Sequence, residues 1–396
     1  MPLKILQTCF SQSWGGLEIQ ALEVSKQLVG RGHHVWLACQ DASRLHQEAT
    51  AQKIVVLPLR IRGHLSPSIV WKLRAFLAEQ QPDIVHCQLS RDIATVVPAV
   101  TLSSRHPPIV LSKRVGSFIT KKDPLHRFTY RRLSRVLAIS SVIQKNVIET
   151  TPVPPERVIT LHDAVDTRVF SPQRVDRQNV RREFGYGDDT VLIGFVGRFS
   201  PGKGHEELLA AADGIRKKRL DVRFLVAGEA SYGERAYEQH IRSSAHALGL
   251  DSIMTFAGFR RDVPALMAAF DILAFPSHAE SFGVVLIEAM AMERAVVSTN
   301  CDGVLDIVVD GVTGLYVHPR NPDELANALL RLIDDPALRT SMGKAGRKRV
   351  LELFDQQHQI DRLEQLYREV LHESATGKPP ATGPGPVTPP SGEHPS

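Results

Sequence analysis

The chain has 396 residues, enough for two domains that each bury a core of their own. With 43% hydrophobic and 23% charged residues it has the composition of a globular chain rather than a disordered or fibrous one, and no apolar run approaches the length needed to cross a bilayer. The net charge of +5 conceals a split, with 22 Lys and Arg against 12 Asp and Glu up to residue 170 and 26 against 31 after it, so the first half is expected to meet an anionic partner.

In chain order, apolar strands are predicted at residues 3–7, 34–38, 54–59, 83–86, 108–112, 135–139 and 158–161, separated by amphipathic helices such as 17–29 and 68–79. The pattern then repeats, with strands at 191–196, 222–227, 253–256, 272–275, 295–298 and 314–317 and helices at 321–334, 336–353 and 355–372. Such alternation implies parallel sheets covered by helices on both faces, in two doubly wound α/β domains. Residues 166–189 are polar and irregular and read as the linker. The domains are expected at 1–170 and 171–354, followed by a helix at 355–373 and a disordered Pro-, Gly-, Thr- and Ser-rich tail at 374–396. A strand starting at residue 3 leaves no signal peptide, and the four cysteines form no CxxC pair. They read as buried apolar residues of a cytoplasmic protein, with no disulfide or zinc site. Ligands of open sheets lie outside the carboxyl ends of the strands, so the site is expected in the cleft between the domains.

Several stretches carry chemistry. Trp14-Gly15-Gly16-Leu17-Glu18 follows the first strand, where paired glycines let a ligand approach a helix start; a plain tight turn is the alternative. The fourth strand ends on His86, which reads equally as a ligand-facing imidazole or as a buried, satisfied one. Lys113 and Arg114 close the fifth strand. Residues 121–135 carry Lys121, Lys122, Arg127, Arg131, Arg132 and Arg135 interleaved with Phe118, Leu125, Phe128, Tyr130 and Leu133 nearby. Read as a helix from Pro124, this segment has an apolar side for the sheet and a basic side for an anionic acceptor or membrane surface. Gly197-Arg198-Phe199-Ser200-Pro201-Gly202-Lys203-Gly204 has the G-x4-G-K spacing of a P-loop, but Gly204 stands where magnesium binding needs Ser or Thr. Phe259 and Arg260 follow the strand at 253–256.

The most informative stretch runs from His278 through Glu280, Ser281, Phe282, Gly283, Val284 and Val285 to Glu288. It reads as strand, short loop and helix N-terminus with a carboxylate at either end. The free amides and partial positive charge of the helix N-terminus favour phosphate, and the acids can accept hydrogen bonds from hydroxyls. A phosphate flanked by hydroxyls describes a nucleotide sugar, although a buried helix with two ordinary acids remains an even alternative.

This stretch resembles the E-x7-E signature of the retaining glycosyltransferase family 4. The Gly15-Gly16 loop with Gly32-His33-His34-Val35, the histidine at 86 and the Gly197-Arg198…Lys203-Gly204 element resemble the same family in the same order, over roughly residues 3–370. The resemblance implies a GT-B fold: two Rossmann-like domains facing across a cleft, with the last helix crossing back. It implies a retaining, metal-independent, hexosyltransferase-like enzyme that moves a sugar from a nucleoside-diphosphate sugar to a hydroxyl. The acceptor would be an anionic glycan or glycolipid, as in lipopolysaccharide or other cell-surface glycan assembly. Glu280 would approach the donor sugar and Glu288 the ribose. The amides of Ser281 to Val285 would hold the diphosphate, Arg198 and Lys203 would neutralise it, and Gly15 and Gly16 would lie against it. Phe259 and Arg260 would meet the base, and His86 the sugar. The chain departs from the family in carrying Gln88 where a second histidine is frequent and Lys113-Arg114 where many relatives carry a histidine, which speaks against a histidine base there. Lys113, Arg114 and the five bases from Lys121 to Arg132 are expected at the acceptor or on the inner face of the membrane. No metal, cofactor or nucleic-acid partner is expected. A GT-B nucleotide-sugar epimerase and a non-catalytic nucleotide-sugar-binding subunit are the rival readings; release of nucleoside diphosphate in the presence of an acceptor separates transfer from mere binding.

Overall fold

The computed structural model describes residues 1–61, 66–231 and 233–377. The tail expected at 374–396 lies outside them from residue 378 on. The described residues form thirteen strands: β1 (Lys4–Cys9), β2 (His34–Gln40), β3 (Val55–Leu59), β4 (Ile84–Cys87), β5 (Ile109–Lys113), β6 (Leu133–Ala138), β7 (Val158–Thr160), β8 (Val191–Val196), β9 (Val222–Ala227), β10 (Met254–Gly258), β11 (Ile272–Phe275), β12 (Ala295–Thr299) and β13 (Gly314–Val317). They make one sheet in the order β3-β2-β1-β4-β5-β6-β7 and another in the order β10-β9-β8-β11-β12-β13. All neighbouring strands of the second sheet run parallel, as do β1 to β5 in the first. A parallel strand covered on both faces must be apolar throughout, and β11, Ile-Leu-Ala-Phe, is buried along its whole length.

In both sheets the winding reverses once, between β1 and β4 and between β8 and β11. At such a switch point the loops leaving the two strands diverge and open a crevice at their carboxyl ends. The loops at the second of these points are residues 197–204 and 276–283, the two stretches that carried most of the chemistry in the sequence.

The chain divides into two compact units. The first comprises Met1–Leu111, Phe128–Val136 and the chain from Asp361; the second comprises Ser112–Arg127 and Leu137–Ile360. Within the first unit the last helix, Gln356–Thr376, is held from Asp361 onward by named contacts. Asp361 pairs with Arg31, and Glu364 meets the Nε2 of His33 at 3.1 Å. The hydroxyl of Tyr367 meets the Nδ1 of His86 at 2.6 Å, and Glu373 pairs with Arg135.

Two readings of the sequence are corrected here. The helix expected from Pro124 to residue 135 ends at Tyr130, because Leu133, Val136, Leu137 and Ala138 are drawn into β6 and buried. Lys121 and Lys122 precede that helix, Arg127 lies on it and Arg131 and Arg132 follow it, so the five bases share no helical face. The stretch 166–189, expected to be irregular, contains the helix Gln178–Glu183, anchored by the fully buried Arg181. Its guanidinium donates to the carbonyls of Ala269 (2.9 Å), Gly187 (2.7 Å) and Thr190 (2.5 Å) and lies 3.3 Å from Asp271 Oδ2.

Candidate active site

The second unit brings Lys203 and Glu280 together. β8 leads into the loop 197–204 and the helix His205–Arg216; β11 leads into the loop 276–283 and the helix Val284–Ala291. The amide of His278 donates to the carbonyl of Gly202 at 2.8 Å, and the His278 ring meets Glu207 at 2.8 Å, which ties the two loops side by side. Across them the Nζ of Lys203 donates to Glu280 Oε2 at 2.5 Å.

Two glycines make this close approach feasible. Gly204 has φ +83°, and a Cβ there would stand 2.1 Å from the carbonyl oxygen of Pro276. Ser or Thr therefore cannot occupy the position where a P-loop binds magnesium, and the near-match to that motif is a glycine-locked junction between two loops. Gly303 packs on the far side: a Cβ there would lie 2.1 Å from the Ser281 carbonyl oxygen, and its amide donates to Glu280 O at 2.9 Å. The Glu280 amide donates to Asp302 at 3.2 Å, and the Ser140 hydroxyl donates to Ser281 O at 2.6 Å. Phe282 is buried, with the His162 ring stacked on it at 5.5 Å. The stretch between the two acids is thus held from several sides, and Gly283, at φ +108°, caps the helix that carries Glu288.

Glu288 lies on that helix with part of its surface open, but its carboxyl is packed closely enough that burial pushes it up to about 8. It has no ion pair or side-chain hydrogen bond among the described residues, an arrangement that favours an incoming hydroxyl donor. Arg198 is largely exposed at the rim, with Nη1 3.4 Å from the Ser231 hydroxyl and Nε 3.5 Å from Glu234 Oε2. Glu234 also accepts from Ser200 at 2.5 Å. At the end of β10 Phe259 is half exposed, whereas Arg260 is committed to Glu183 and Asp262.

In the first unit Gly15 caps the helix Gly16–Gly30, and its Cα lies beside the Glu18 carboxylate. His86 is buried under Tyr367 rather than open to solvent. Sequence reasoning missed Asp92. It is completely buried, accepts from the Thr8 hydroxyl at 2.9 Å and from the Phe10 amide at 3.4 Å, and burial pushes it up to about 7. It braces the start of the loop that leads to Gly15. His278–Glu207 and Glu234–Ser200 were missed as well, because nothing in their local sequence marks pairs 71 and 34 residues apart.

Arg114 is paired with the buried Asp163, and Lys113 is itself buried. Lys122, Arg127, Arg131 and Arg132 are exposed, together with Phe118, Ile119 and Leu125. Among the described residues no group of three or more His, Cys, Asp or Glu could hold a metal ion, and no helix is long and apolar enough to cross a membrane.

The model for Glycosyltransferase Family 4 matches residues 14–169, and that for Glycosyl transferases group 1 matches residues 176–349. The alpha-maltose-1-phosphate synthase of Mycolicibacterium smegmatis is 31% identical over 272 residues, 65% of this chain and 69% of that protein. The D-inositol 3-phosphate glycosyltransferase of Corynebacterium aurimucosum is 33% identical over 207 residues, 51% of this chain; the match spans about half of that relative, 49%. Among solved structures, that of Anabaena HepE in complex with UDP and glucose superposes with a TM-score of 0.79 at 22% identity, covering 92% of this chain and 99% of that one, a likeness of fold.

Proposed function

The chain belongs to glycosyltransferase family 4, of the group 1 type, and from that premise we propose that it transfers a sugar from a nucleoside-diphosphate sugar to a hydroxyl with retention at the anomeric carbon. The observation that carries this reading is the meeting of Lys203 and Glu280 at the switch point of the second sheet, with Glu288 eight residues on. Without donor, Lys203 is neutralised by Glu280. The arriving diphosphate is the stronger anion and draws Lys203 to itself, leaving Glu280 to accept hydrogen bonds from the sugar. Arg198, exposed at the rim and drawn from Glu234 to the diphosphate, and the amides at the start of the helix Val284–Ala291 complete the phosphate contacts.

In the transfer, the bond from the anomeric carbon to the diphosphate oxygen breaks and its electrons pass to the diphosphate. The acceptor oxygen bonds to the same carbon from the same face, and its proton goes to the departing phosphate oxygen. Charge therefore grows where Lys203, Arg198 and the helix N-terminus are aimed, and the step calls for neither a protein base nor a metal ion. Phe259 offers a face for the nucleotide base. His86, held by Tyr367, serves as a positioning residue. The acceptor is an anionic glycan or glycolipid of cell-surface glycan assembly. Relatives whose names carry a phosphorylated sugar or polyol support an anionic acceptor.

Calorimetry with a nucleoside diphosphate tests the two acids. Glu288→Ala should weaken binding by about tenfold or more, because a ribose hydroxyl desolvated in the site is left without its acceptor. Glu280→Ala should leave affinity within a few-fold and lower turnover instead. Equal losses of affinity in both variants would sink the assignment.

The exposed bases between Lys121 and Arg132 support work at the cytoplasmic membrane face, at about 1 kcal/mol for each charge near an anionic bilayer. The wild type should sediment with anionic vesicles at low salt, and replacement of Lys121, Lys122, Arg127, Arg131 and Arg132 by Gln should abolish it. A wild type that stays in the supernatant contradicts the membrane part.

A further inference from the structure

Lys113 is the last residue of β5, and only 6% of it is exposed. It has no ion pair and no side-chain hydrogen bond among the described residues, yet its Nζ is not one of the polar atoms sealed off from solvent. The neighbouring cation, Arg114, is offset by the carboxylate of Asp163, itself buried. No carboxylate does the same for Lys113, and Lys121 adds a further positive charge nearby; burial and that like charge together lower the lysine to about 8. A desolvated ammonium without a counterion is costly, and an unpaired one at the carboxyl end of a parallel strand stands where open sheets bind their ligands.

We propose that Lys113 forms the floor of an anion subsite that takes a phosphate-ester or carboxylate oxygen of the acceptor. The inference rests on the transferase reading only in naming the acceptor as the carrier of that group. A lysine ammonium is a compact charge with three donors, suited to a single oxyanion, whereas the planar fork of Arg114 is already taken up by Asp163. Lys121 adds to the positive field here, and the exposed bases from Lys122 onward serve a broader contact.

The test uses the full chain. Inorganic phosphate is titrated by calorimetry with and without saturating UDP, which occupies the diphosphate site; glycerol phosphate and gluconate are separate arms that distinguish phosphate ester from carboxylate. Phosphate should bind the UDP-saturated wild type. Lys113→Met should weaken that binding at least tenfold, Lys113→Arg should retain most of it, and both variants should bind UDP as the wild type does. If UDP itself does not bind, the donor is not a UDP-sugar, and phosphate binding without UDP then still shows whether Lys113 is needed. Phosphate that does not bind the wild type, or binds Lys113→Met equally well, overturns the subsite. A thermal melt equal to or above that of the wild type for Lys113→Met shows that the loss is one of binding and not of folding.

Discussion

Lys203→Ala is expected to lower kcat/KM by about a hundred- to a thousandfold, the usual effect of removing one preorganised donor from a site of developing negative charge. The side chain is already aimed, 2.5 Å from Glu280 across the two switch-point loops, and is supported by the glycine-locked junction at Gly204. In the proposed reaction its loss takes a positive charge from the leaving diphosphate and leaves the Glu280 carboxylate unbalanced beside it. The same variant should remain folded, because Lys203 is partly exposed and its pair contributes little to stability. Initial rates across donor concentrations, alongside a thermal melt, make the measurement. A loss of less than about threefold in a folded protein would remove Lys203 from the mechanism.

Arg181→Ala should cost about 3–5 kcal/mol, the range for breaking a buried ion pair from one side. The truncation strands the carbonyls of Ala269, Gly187 and Thr190 and leaves Asp271 with Arg177, 2.7 Å away, and the Leu192 amide, 2.8 Å away. In a unit of this size the melting transition should fall by about 10 °C. A shift of only a degree or two would mean that the helix Gln178–Glu183 is not anchored through this side chain.

Much of the fold could be read from the sequence because parallel strands covered on both faces leave continuous apolar runs. β8, β9, β11 and β13 lie within the predicted bounds to the residue. The segment after Pro124 misled because its apolar residues keep a helical spacing through Leu133, where pairing in the sheet overrides that local preference. In the candidate site the acids and the glycine-rich loop stood out locally, since a loop and the helix after it are contiguous, but spacing left their roles open and the family resemblance supplied them. Long-range partners were not. Lys203 and Glu280 are 77 residues apart, Arg114 and Asp163 are 49 apart, and Arg260 is claimed by Glu183, 77 residues away. Side chains expected to be free for ligand, Arg114 and Arg260 among them, are thus committed within the protein. The buried state of His86 depends on Tyr367, 281 residues further along, and no local pattern could have signalled it.

The proposed transfer with retention rests on a site that holds the diphosphate through Arg198, Lys203 and a helix N-terminus. Its most direct test is the anomeric configuration of the product, read by proton NMR against that of the donor, with excess EDTA in the reaction. Release of nucleoside diphosphate and a product of the donor's own configuration, formed at an undiminished rate, are expected. An inverted product, or a strict requirement for added magnesium or manganese, would contradict it.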